Sequence, residues 1–565
     1  MNDLLIQGGT LVDGTGASAR VASVAINKGL IVAVGDAAEV PARRVINARG
    51  LLVTPGFVDI HTHYDGQATW DPFLTPSTWH GVTTCVFGNC GVGFAPVRPD
   101  KTDFLINLME GVEDIPGTVL SEGMAWTWES FPQYLDALDK MPFAMDVGAQ
   151  LPHAALRFYV MGERGADHQE APSSQELVEI KRLTEEALLA GALGVTTSRT
   201  VKHRAKDGRY TPSLSAAEPE LLAIAQAMRQ VNRGVLEVNS DFGAGDFEIL
   251  RSVAEVSGRP MSLLLLQVDN APQLWHTTLQ QIHEARRAGL AVTGQVGAKA
   301  IGVLLGLETS LHPFMTHPIW LEMAALSPRE RYLKLRDDEG LRSALTEEPR
   351  ASRATAAMNK MLDRCFVLDD DLDYEPEAHT SLSARIAREG GHLRGLALKE
   401  MMKAEGKALL LHPFENYTAG DFGVVRQMLA DPATVMGLGD AGAHVGLICD
   451  GAGPTFLLKH WARDRKRGPG LPLESLVKKQ TLDTAAVYGL HDRGVIATGM
   501  KADINVIDFE KLALEMPEVV YDLPAGGRRL IQRARGYRHT FVSGIETVLN
   551  DELTGALPGK LIRSS

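Results

Sequence analysis

The sequence has little of what secreted, membrane-spanning and nucleic-acid-binding proteins need. Its 565 residues include only four cysteines, too few for a disulfide framework. No apolar run approaches the roughly 20 residues that a spanning helix needs, and the N-terminus lacks the basic start and apolar core of a signal peptide. The net charge of −13 argues against nucleic acid or an anionic membrane surface as a main partner. We therefore expect a cytoplasmic protein; whether it forms a homo-oligomer stays open.

Both ends of the chain have the pattern of short strands. Hydrophobic content of 45% and charged content of 22% are those of a soluble globular protein. The length exceeds what one core usually supports, so at least two structural units are expected. Alternating apolar residues broken by glycine-containing turns occur near both termini. We predict that residues 1–55 and 490–565 pair two half-sheets into one discontinuous β-sandwich domain.

The middle of the chain, residues 56–489, alternates apolar strands with amphipathic helices. Eight such repeats predict an α/β fold, a (β/α)8 TIM-like barrel whose reactive groups lie where the strands end. One connection, around residues 306–406, is too long for a simple loop and carries helical patterning and the acidic stretch "LDDDLDYEPE". We interpret it as a lid or an inserted subdomain over the barrel mouth.

The stretch "VTPGFVDIHTHYD" sets a buried strand directly against His61 and His63. Side chains alternate faces along a strand, so positions i and i+2 share one side and the two imidazoles converge. Converging imidazoles at a strand end can share one divalent metal ion. The alternative is a pair of hydrogen-bonded histidines.

Two further strand ends carry side chains that can bind a metal. Cys90 lies in "FGNCGVGFAP" and Asp440 in "GLGDAGAH", and with two histidines they make a set of zinc ligands. Cys90 could instead be a small buried hydrophobe, and Asp440 a helix cap. We favour Asp440 as the base that takes a proton from attacking water and passes it to the departing nitrogen. His444 either faces the same mouth or lies inside a helix.

Several motifs together resemble the amidohydrolase superfamily. They are "GTLVDGTG", "VTPGFVDIHTHYD", "FGNCGVGFAP", "GALGVTTSR", "GLGDAGAHV" and "DRGVIATGMKADINVIDF". Within the superfamily the chain is similar to the N-acyl-D-amino-acid deacylase (D-aminoacylase) branch over nearly its whole length. The resemblance implies a metal-dependent hydrolase of amide or other carbon–nitrogen bonds, one or two zinc ions, a cysteine ligand matching Cys90 and a catalytic aspartate matching Asp440.

The chain departs from this branch at the fifth and sixth strands. The deacylases carry metal-binding histidines there, whereas "VLEVNSDF" and "LLLLQVDNAPQLW" contain Asn239 and Gln267. Neutral amides are poor zinc ligands, but Glu237 shares a strand face with Asn239 and is a candidate ligand. Its alternative role is to pair with an arginine or lysine at the barrel mouth.

Other candidates for the substrate pocket follow from strand-end position. Basic side chains cluster in "SRTVKHR" after the fourth strand, where a guanidinium could hold a substrate carboxylate bidentately. Basic loop residues are also commonly just solvated. The candidate substrate-binding residues are His153, Arg157, Arg199, His203, Asn239, Gln267, Lys299, His412 and His444.

Three functions remain in competition. The first is a zinc hydrolase that cleaves an N-acyl amino acid or a similar small linear amide. The second keeps the fold but opens a cyclic amide, or cleaves a carbamate or ester. The third, favoured by the missing histidines, is a non-catalytic assembly protein; the joint presence of His61, His63, Cys90 and Asp440 argues against it.

Overall fold

The computed structural model describes residues 1–38, 40–347 and 353–564, and strands and helices alternate along most of this length. The strands are β1 Asn2–Leu11, β2 Arg20–Asn27, β3 Leu30–Val34, β4 Ala42–Asn47, β5 Leu52–Pro55, β6 Phe57–Asp59, β7 Val82–Phe87, β8 Asp146–Ala149, β9 Leu151–Pro152, β10 Gly194–Arg199, β11 Val235–Ser240, β12 Met261–Leu264, β13 Val292–Val296, β14 Ile301–Leu305, β15 Phe366–Leu368, β16 Leu409–Glu415, β17 Thr434–Met436, β18 Ile504–Ile507, β19 Ala513–Leu514, β20 Glu518–Leu523, β21 Gly527–Ile531, β22 Ala534–Arg535, β23 Tyr537–Val542, β24 Ile545–Leu549 and β25 Glu552–Leu553. The α-helices are α1 Thr102–Glu113, α2 Gly117–Gly123, α3 Phe131–Asp139, α4 His153–Met161, α5 Ser174–Ala190, α6 Glu218–Val231, α7 Asp246–Ser257, α8 Leu274–Arg287, α9 Pro318–Glu322, α10 Pro328–Asp337, α11 Glu339–Thr346, α12 Arg353–Asp363, α13 Leu382–Glu389, α14 Leu393–Met401, α15 Lys403–Gly406, α16 Gly423–Ala430, α17 Gly453–Phe456, α18 Leu473–Lys479 and α19 Leu482–Val487. In the described ranges, no helix has the length and apolar character needed to cross a bilayer.

Nine strands of the described middle region, β6–β13 and β17, pair in parallel and in chain order. β6, β7 and β8 pair in one sheet, and β9, β10, β11, β12, β13 and β17 in another. Only Gln150 separates β8 from β9, and an isolated parallel bridge between Thr62 and Ala441 joins the segment after β6 to the segment after β17. β7 and β10 are buried at every position, as expected of parallel strands covered on both faces. The predicted α/β class is confirmed.

The helices between these strands pack one apolar face inward. In α5 the capping box of Ser173 and Glu176 satisfies the first backbone N–H groups, and Gly191 ends the helix with a φ of 114°. Its buried residues recur at the spacing of one helix face: Ile180, Leu183, Thr184, Ala187 and Leu188. This burial holds α5 against the parallel strands and fixes where those strands end.

Strands from both ends of the chain share one sheet of nine strands. Its order is β25-β24-β23-β18-β5-β1-β2-β3, with β4 beside β1. β5 and β18 are antiparallel neighbours, with Val53 opposite Val506, and both residues lie in an apolar cluster with Ile6, Val24 and Phe541. The two half-sheets expected from the sequence are therefore joined edge to edge by backbone hydrogen bonds.

The long connection after β13 has a core of its own. β14, β16 and β15 form a small antiparallel sheet, and helices α9–α15 pack around a separate cluster that includes Phe314, Trp320 and Leu410. Two ion pairs join this unit to the loops that follow β12 and β10: Arg364 with Asp269 and, from β16, Glu415 with Lys202. A separate core shows that this segment is a packed unit and not a loop.

Candidate metal centre

His61 and His63 converge after β6 because hydrogen bonds to β7 on one side and to the segment after β17 on the other fix the backbone there. Thr62 donates its backbone N–H and its hydroxyl to Val86 O, at 3.1 and 2.9 Å, and so turns toward β7. The His63 N–H donates to Ala441 O at 2.8 Å. The two imidazoles lie on the other side, with ring centroids 5.5 Å apart, and both are buried.

Four potential metal ligands meet at this point. Asp440 Oδ1 lies 3.1 Å from His61 Nε2 and 3.6 Å from His63 Nε2, and Cys90 Sγ lies 3.5 Å from His61 Nε2. The ligand atoms of His61, His63 and Cys90 all lie within 4.8 Å of one another, and Asp440 joins them through the two imidazoles. We call these four residues, brought together from the ends of β6, β7 and β17, the metal pocket.

Tight backbone turns bring Cys90 and Asp440 into the metal pocket. Both residues adopt the left-handed region, with φ of 55° and 45°, a conformation that is strained for side chains with a Cβ and is concentrated at functional sites. Gly91 allows the close approach of two loops, since a Cβ there would lie 2.7 Å from Ser198 N. The Asp440 N–H donates to His61 O at 3.0 Å. These contacts explain the glycines on both sides of Cys90 and of Asp440.

Gln295, at the end of β13, orients His61. Its Oε1 lies 2.9 Å from His61 Nδ1, while its Nε2 donates to Ser262 Oγ at 2.9 Å. Because the amide nitrogen is used by Ser262, the amide oxygen faces the imidazole and accepts a hydrogen bond from Nδ1–H. His61 Nε2 is then the nitrogen left for a metal ion.

Glu113, the last residue of α1, is a site residue that the sequence motifs do not predict. Its Oε1 lies 3.5 Å from His63 Nδ1 and its Oε2 lies 3.5 Å from His444 Nε2. Burial raises the pKa of this carboxyl well above its ordinary value. One signal could have found it, because a glutamate falls on the buried face that α1 otherwise fills with Leu105, Leu108, Met109 and Val112.

Glu237 lies beside the metal pocket and keeps one oxygen unpartnered. Its Oε2 accepts the Cys90 N–H at 3.0 Å, and its Oε1, 3.9 Å from His61 Nδ1, has no hydrogen bond within the described chain. Burial raises the pKa of Glu237 to about 7. Asn239, two residues along β11, lies 3.5 Å from Cys90 Sγ through its Nδ2. Glu237 as a metal ligand therefore stays a prediction.

The electrostatics of the metal-free pocket favour a positive charge. Burial raises the pKa of the Cys90 thiol to about 12, and it lowers the pKa of His63 to about 4. Burial also acts against a charged His61, yet Cys90 and Asp440 hold the His61 pKa well above its usual range. Burial likewise opposes an ionised Asp440, but hydrogen bonds from His61 and His63 hold its pKa well below the usual range. The ionised Asp440 carboxylate and the Cys90 thiol beside His61 thus favour a positive charge at this point.

The donor set fits a zinc ion. Imidazole nitrogen, thiolate sulfur and carboxylate oxygen are its usual protein ligands, and a tetrahedron with bonds of about 2.0–2.3 Å has edges of about 3.3–3.6 Å. The observed separations of 3.1, 3.5 and 3.6 Å between donor atoms lie near those edges. Glu237 Oε1 lies on the other side of His61, 3.9 Å from its Nδ1. On these grounds His61, His63 and Cys90, with Asp440, suit a metal ion of this size.

Three of the predicted substrate-binding residues lie next to the metal pocket. His203 contacts Asn239 Nδ2 through Nε2 at 3.3 Å and Ser198 Oγ through Nδ1 at 3.0 Å. Burial lowers the His203 pKa to about 3, so its ring is neutral. His444 belongs to no helix, and 28% of its side chain is exposed. The structure therefore brings His203, Asn239 and His444 to the rim of the pocket.

His153 and Arg157 are not free to bind substrate, which corrects that prediction. His153 binds Thr197 Oγ1 and Glu220 Oε1 through its two ring nitrogens, each at 2.9 Å. The Arg157 guanidinium pairs with Glu220 as well, and all three side chains are fully buried. We call His153, Arg157 and Glu220 the brace cluster. It binds α4 to α6 and leaves no charge for a ligand.

Arg199 and Lys299 are also paired with acids, contrary to their predicted role as substrate contacts. Arg199 donates to Asp246 Oδ1 at 2.8 Å and to Ala216 O at 2.8 Å. Lys299 forms a buried ion pair with Asp450. A substrate carboxylate would have to displace an existing carboxylate at either position, so these pairs disfavour substrate contact by Arg199 and Lys299, which stays a prediction.

Gln267 and His412 support the chain before β17 and do not join the metal pocket. The Gln267 N–H donates to Asn416 Oδ1 at 2.8 Å, and its side-chain oxygen accepts the Thr418 N–H at 3.3 Å. His412 lies on β16 within the antiparallel sheet, and burial lowers its pKa to about 4. Their contact with substrate stays a prediction.

Comparison with known proteins agrees with this geometry. The model of the amidohydrolase family matches residues 44–548. This chain belongs to the amidohydrolase family. The D-aminoacylase of Alcaligenes xylosoxydans xylosoxydans is 27% identical over 567 residues, which cover 99% of this chain and 97% of the relative. The family resemblance inferred from the motifs is confirmed.

Two solved structures share the fold over the full length of this amidohydrolase. A D-aminoacylase structure concerned with the role of its binuclear metal centre has a TM-score of 0.66, 23% identity and 100% coverage of both chains. The N-acyl-D-glutamate deacylase of Bordetella bronchiseptica, complexed with zinc and a phosphonate inhibitor, has a TM-score of 0.65 and 23% identity, covering 100% of this chain and 99% of the other. At these identities the likeness shows a common fold.

Proposed function

We propose that this member of the amidohydrolase family is a zinc-dependent enzyme that cleaves the amide bond of an N-acyl amino acid or a related small amide. It hydrolyses a carbon–nitrogen bond other than a peptide bond. The observation that carries the proposal is the convergence of His61, His63, Cys90 and Asp440 in one buried pocket. The D-aminoacylase and N-acyl-D-glutamate deacylase relatives support an N-acyl-D-amino acid as the first substrate to test.

In this proposal the metal pocket lies at the mouth of a closed (β/α)8 barrel. The parallel order of the strands and the Thr62–Ala441 bridge support closure between the first and last strands. A discontinuous β-sandwich of residues 1–55 and 490–565 flanks the barrel, and the packed unit around residues 306–406 covers its mouth. The nine-stranded terminal sheet and the separate core of the inserted unit support this division.

His61, His63 and Cys90 would hold the zinc ion, with Asp440 and Glu237 as further candidate ligands for one ion or two. Held by these residues, zinc would supply polarisation of the substrate carbonyl and would lower the pKa of a bound water toward about 7. The buried Cys90 thiol, whose own pKa is about 12, must lose its proton when the metal binds. Metal uptake should therefore release a proton.

Asp440 moves the proton during hydrolysis. Its Oδ1 lies 3.1 Å from His61 Nε2 and 3.6 Å from His63 Nε2, so the carboxylate is within reach of a water held at the same point and would accept its proton. As the water oxygen bonds to the carbonyl carbon, that proton goes to Asp440 and then to the nitrogen. The carbon–nitrogen bond breaks, giving a carboxylic acid and a free amine. His203, Asn239 and His444 at the rim are the candidates for contact with the rest of the substrate.

Metal analysis combined with a substrate panel tests the proposal. The purified protein is expected to contain zinc and to release free amine from N-acyl-D-amino acids, with lower rates on the L-enantiomers. Activity confined to cyclic imides, carbamates or esters would replace it with the ring-opening or ester alternative. Protein that holds no metal and stays inert after zinc is added would support the non-catalytic alternative.

A further inference from the structure

Glu113 connects the metal pocket to its rim. It is 1% exposed, and its two oxygens point at two different imidazoles: Oε1 at His63 Nδ1 and Oε2 at His444 Nε2, each at 3.5 Å. Within the described chain, His63 Nδ1 and Glu113 Oε1 are buried and lack hydrogen bonds, yet they face each other. A small shift of the Glu113 carboxyl group toward His63 would let these two atoms form a hydrogen bond. No packing need explains a glutamate at this position.

The two histidines of the pocket have matching outer partners. His61 Nδ1 is held by Gln295 Oε1, so His61 presents Nε2 to the pocket. His63 also turns Nε2 toward Asp440, and Glu113 lies behind its Nδ1. An acceptor behind Nδ1 fixes the ring orientation and keeps the proton off Nε2. Glu113 thus takes for His63 the place that Gln295 takes for His61.

Glu113 also holds His444 by its backbone. The His444 N–H donates to Glu113 O, while Glu113 Oε2 faces the ring of the same residue. His444 has a φ of 48°, a strained conformation that persists only where the surroundings enforce it. Asp114, which follows Glu113 in the chain, accepts the Gly446 N–H at 3.1 Å and so anchors the loop that carries His444. The end of α1 therefore sets the position of His444, whose imidazole is partly exposed, unlike those of His61 and His63.

We propose that Glu113 is a positioning residue that orients His63 for metal binding and holds His444 at the rim toward substrate. The inference rests on the proposed function, because it assumes a metal ion at His61 and His63. It goes further by assigning a role to α1, a helix that supplies no metal ligand. It also makes one carboxylate common to metal binding and substrate binding.

Substitution of Glu113→Gln tests the metal half. The expected result is a loss of zinc affinity of about 10–100-fold, measured by competition with a chromophoric chelator. The thermal midpoint of the metal-free protein should not fall, because the variant removes a buried oxygen without a hydrogen bond. Glu110→Gln is the matched control, since Glu110 lies on the same helix in a surface pair with Lys206. It should leave both quantities unchanged.

The cobalt(II) form adds a spectroscopic measurement. Glu113→Gln should change the visible ligand-field bands of the bound ion, while the cysteine charge-transfer band remains. Glu113→Asp keeps the carboxyl group but shortens the side chain, so it should lose less zinc affinity than the glutamine variant. It also serves if Glu113→Gln does not fold. Zinc affinity within twofold of wild type in both variants, with a lower thermal midpoint, would show that Glu113 is only structural and overturn the inference.

The rim half is tested by combining Glu113→Gln with His444→Ala. If the carboxylate acts on substrate through His444, the increases in KM of the two variants are not additive, and the double variant resembles His444→Ala. Additive increases would overturn this half. The two levels of proposal separate cleanly: wild-type protein that binds no zinc contradicts the proposed function, whereas wild-type and variant proteins that bind zinc equally contradict only the role of Glu113.

Discussion

The metal pocket and the brace cluster look alike in sequence but differ in how their polar atoms are satisfied. Each has a buried histidine that follows a parallel strand and a carboxylate paired with it: His61 with Asp440 in the metal pocket, and His153 with Glu220 in the brace cluster. In the brace cluster both ring nitrogens of His153 and both oxygens of Glu220 have partners. Around the metal pocket, buried atoms of His63, Glu113 and Glu237 remain without hydrogen bonds in the described residues. Unsatisfied buried polar atoms, and not strand-end position alone, distinguish the site from the support.

The difference has a physical reason. Glu220 is surrounded by a cation and an imidazole, so its charge is neutralised within the protein, and Arg157 donates also to the carbonyls of Gly165 and Asp167. The brace cluster is complete without a ligand. The metal pocket gathers carboxylates and a thiol around two imidazoles, and such a set is complete only when a cation is present.

The largest expected effect is on catalysis in the metal pocket. Asp440→Asn removes the proton acceptor, so kcat should fall by about 10²–10⁴-fold, the usual contribution of a general base. His61, His63 and Cys90 remain, so zinc should be retained. Steady-state kinetics together with metal analysis checks both points. Full turnover by a zinc-loaded variant would contradict the proton-transfer role.

The next largest effect is expected in the brace cluster, on the free energy of unfolding and not on catalysis. Arg157→Leu leaves the Glu220 carboxylate buried without its cation, which should reduce the free energy of unfolding by about 3–5 kcal/mol. Zinc affinity should not change. Urea unfolding of the variant, compared with the surface control Arg182→Leu, measures the effect; the control should cost no more than about 0.5 kcal/mol. A stable Arg157→Leu protein with impaired zinc binding would reverse the assignment of the two regions.

Cys85, on β7, and Cys90, just after it, are both buried, but their substitution should affect zinc affinity differently. Cys90→Ala should lower zinc affinity by at least the factor of about 10–100 that losing an outer partner costs. Cys85→Ala removes the same volume from β7, where the thiol is outside the donor cluster, and should leave zinc affinity unchanged. Chelator competition on both variants measures the difference. Equal zinc affinity in the two variants would return Cys90 to the role of a small core residue.

The smallest expected effect is a pH dependence of the brace cluster. Burial acts to raise the Glu220 pKa, but His153 and Arg157 outweigh it and hold the pKa below its usual value. The ionised carboxylate therefore adds stability above the unfolded pKa of about 4.3, and this is lost as pH falls toward the folded value. The stability advantage of wild type over Glu220→Gln should shrink between about pH 5.5 and 3.5. Urea midpoints across this range test it; a constant difference would argue against an ionised Glu220.

Local patterns predicted much of the parallel region and of the metal pocket. The spacing of His61 and His63 gave their common face, and the glycines beside Cys90 and Asp440 marked turns at strand ends. These features depend on neighbours within a few residues, which a single sequence contains. The convergence of the four side chains then follows from the parallel order of the strands.

Tertiary partners could not be read from the sequence in the same way. Glu113 meets His63 only because α1 packs against the strands, and Arg157 is neutralised by a residue 63 positions away. Arg199 and Lys299 show the same limit: a basic residue at a strand end predicts an anion, but not whether the anion is a substrate or a neighbouring aspartate. The direct pairing of β5 with β18 likewise depends on contacts between distant segments.

That pairing of β5 with β18 has a consequence for how the protein is made. Strand β5 ends at Pro55 and its partner β18 begins at Ile504, so the first strands leave the ribosome long before their neighbour exists. At about 5–20 residues per second, the intervening stretch takes on the order of 20–90 s to synthesise. During that time the edge of β5 lacks its native partner, and an unpaired strand edge is a place where another chain can pair.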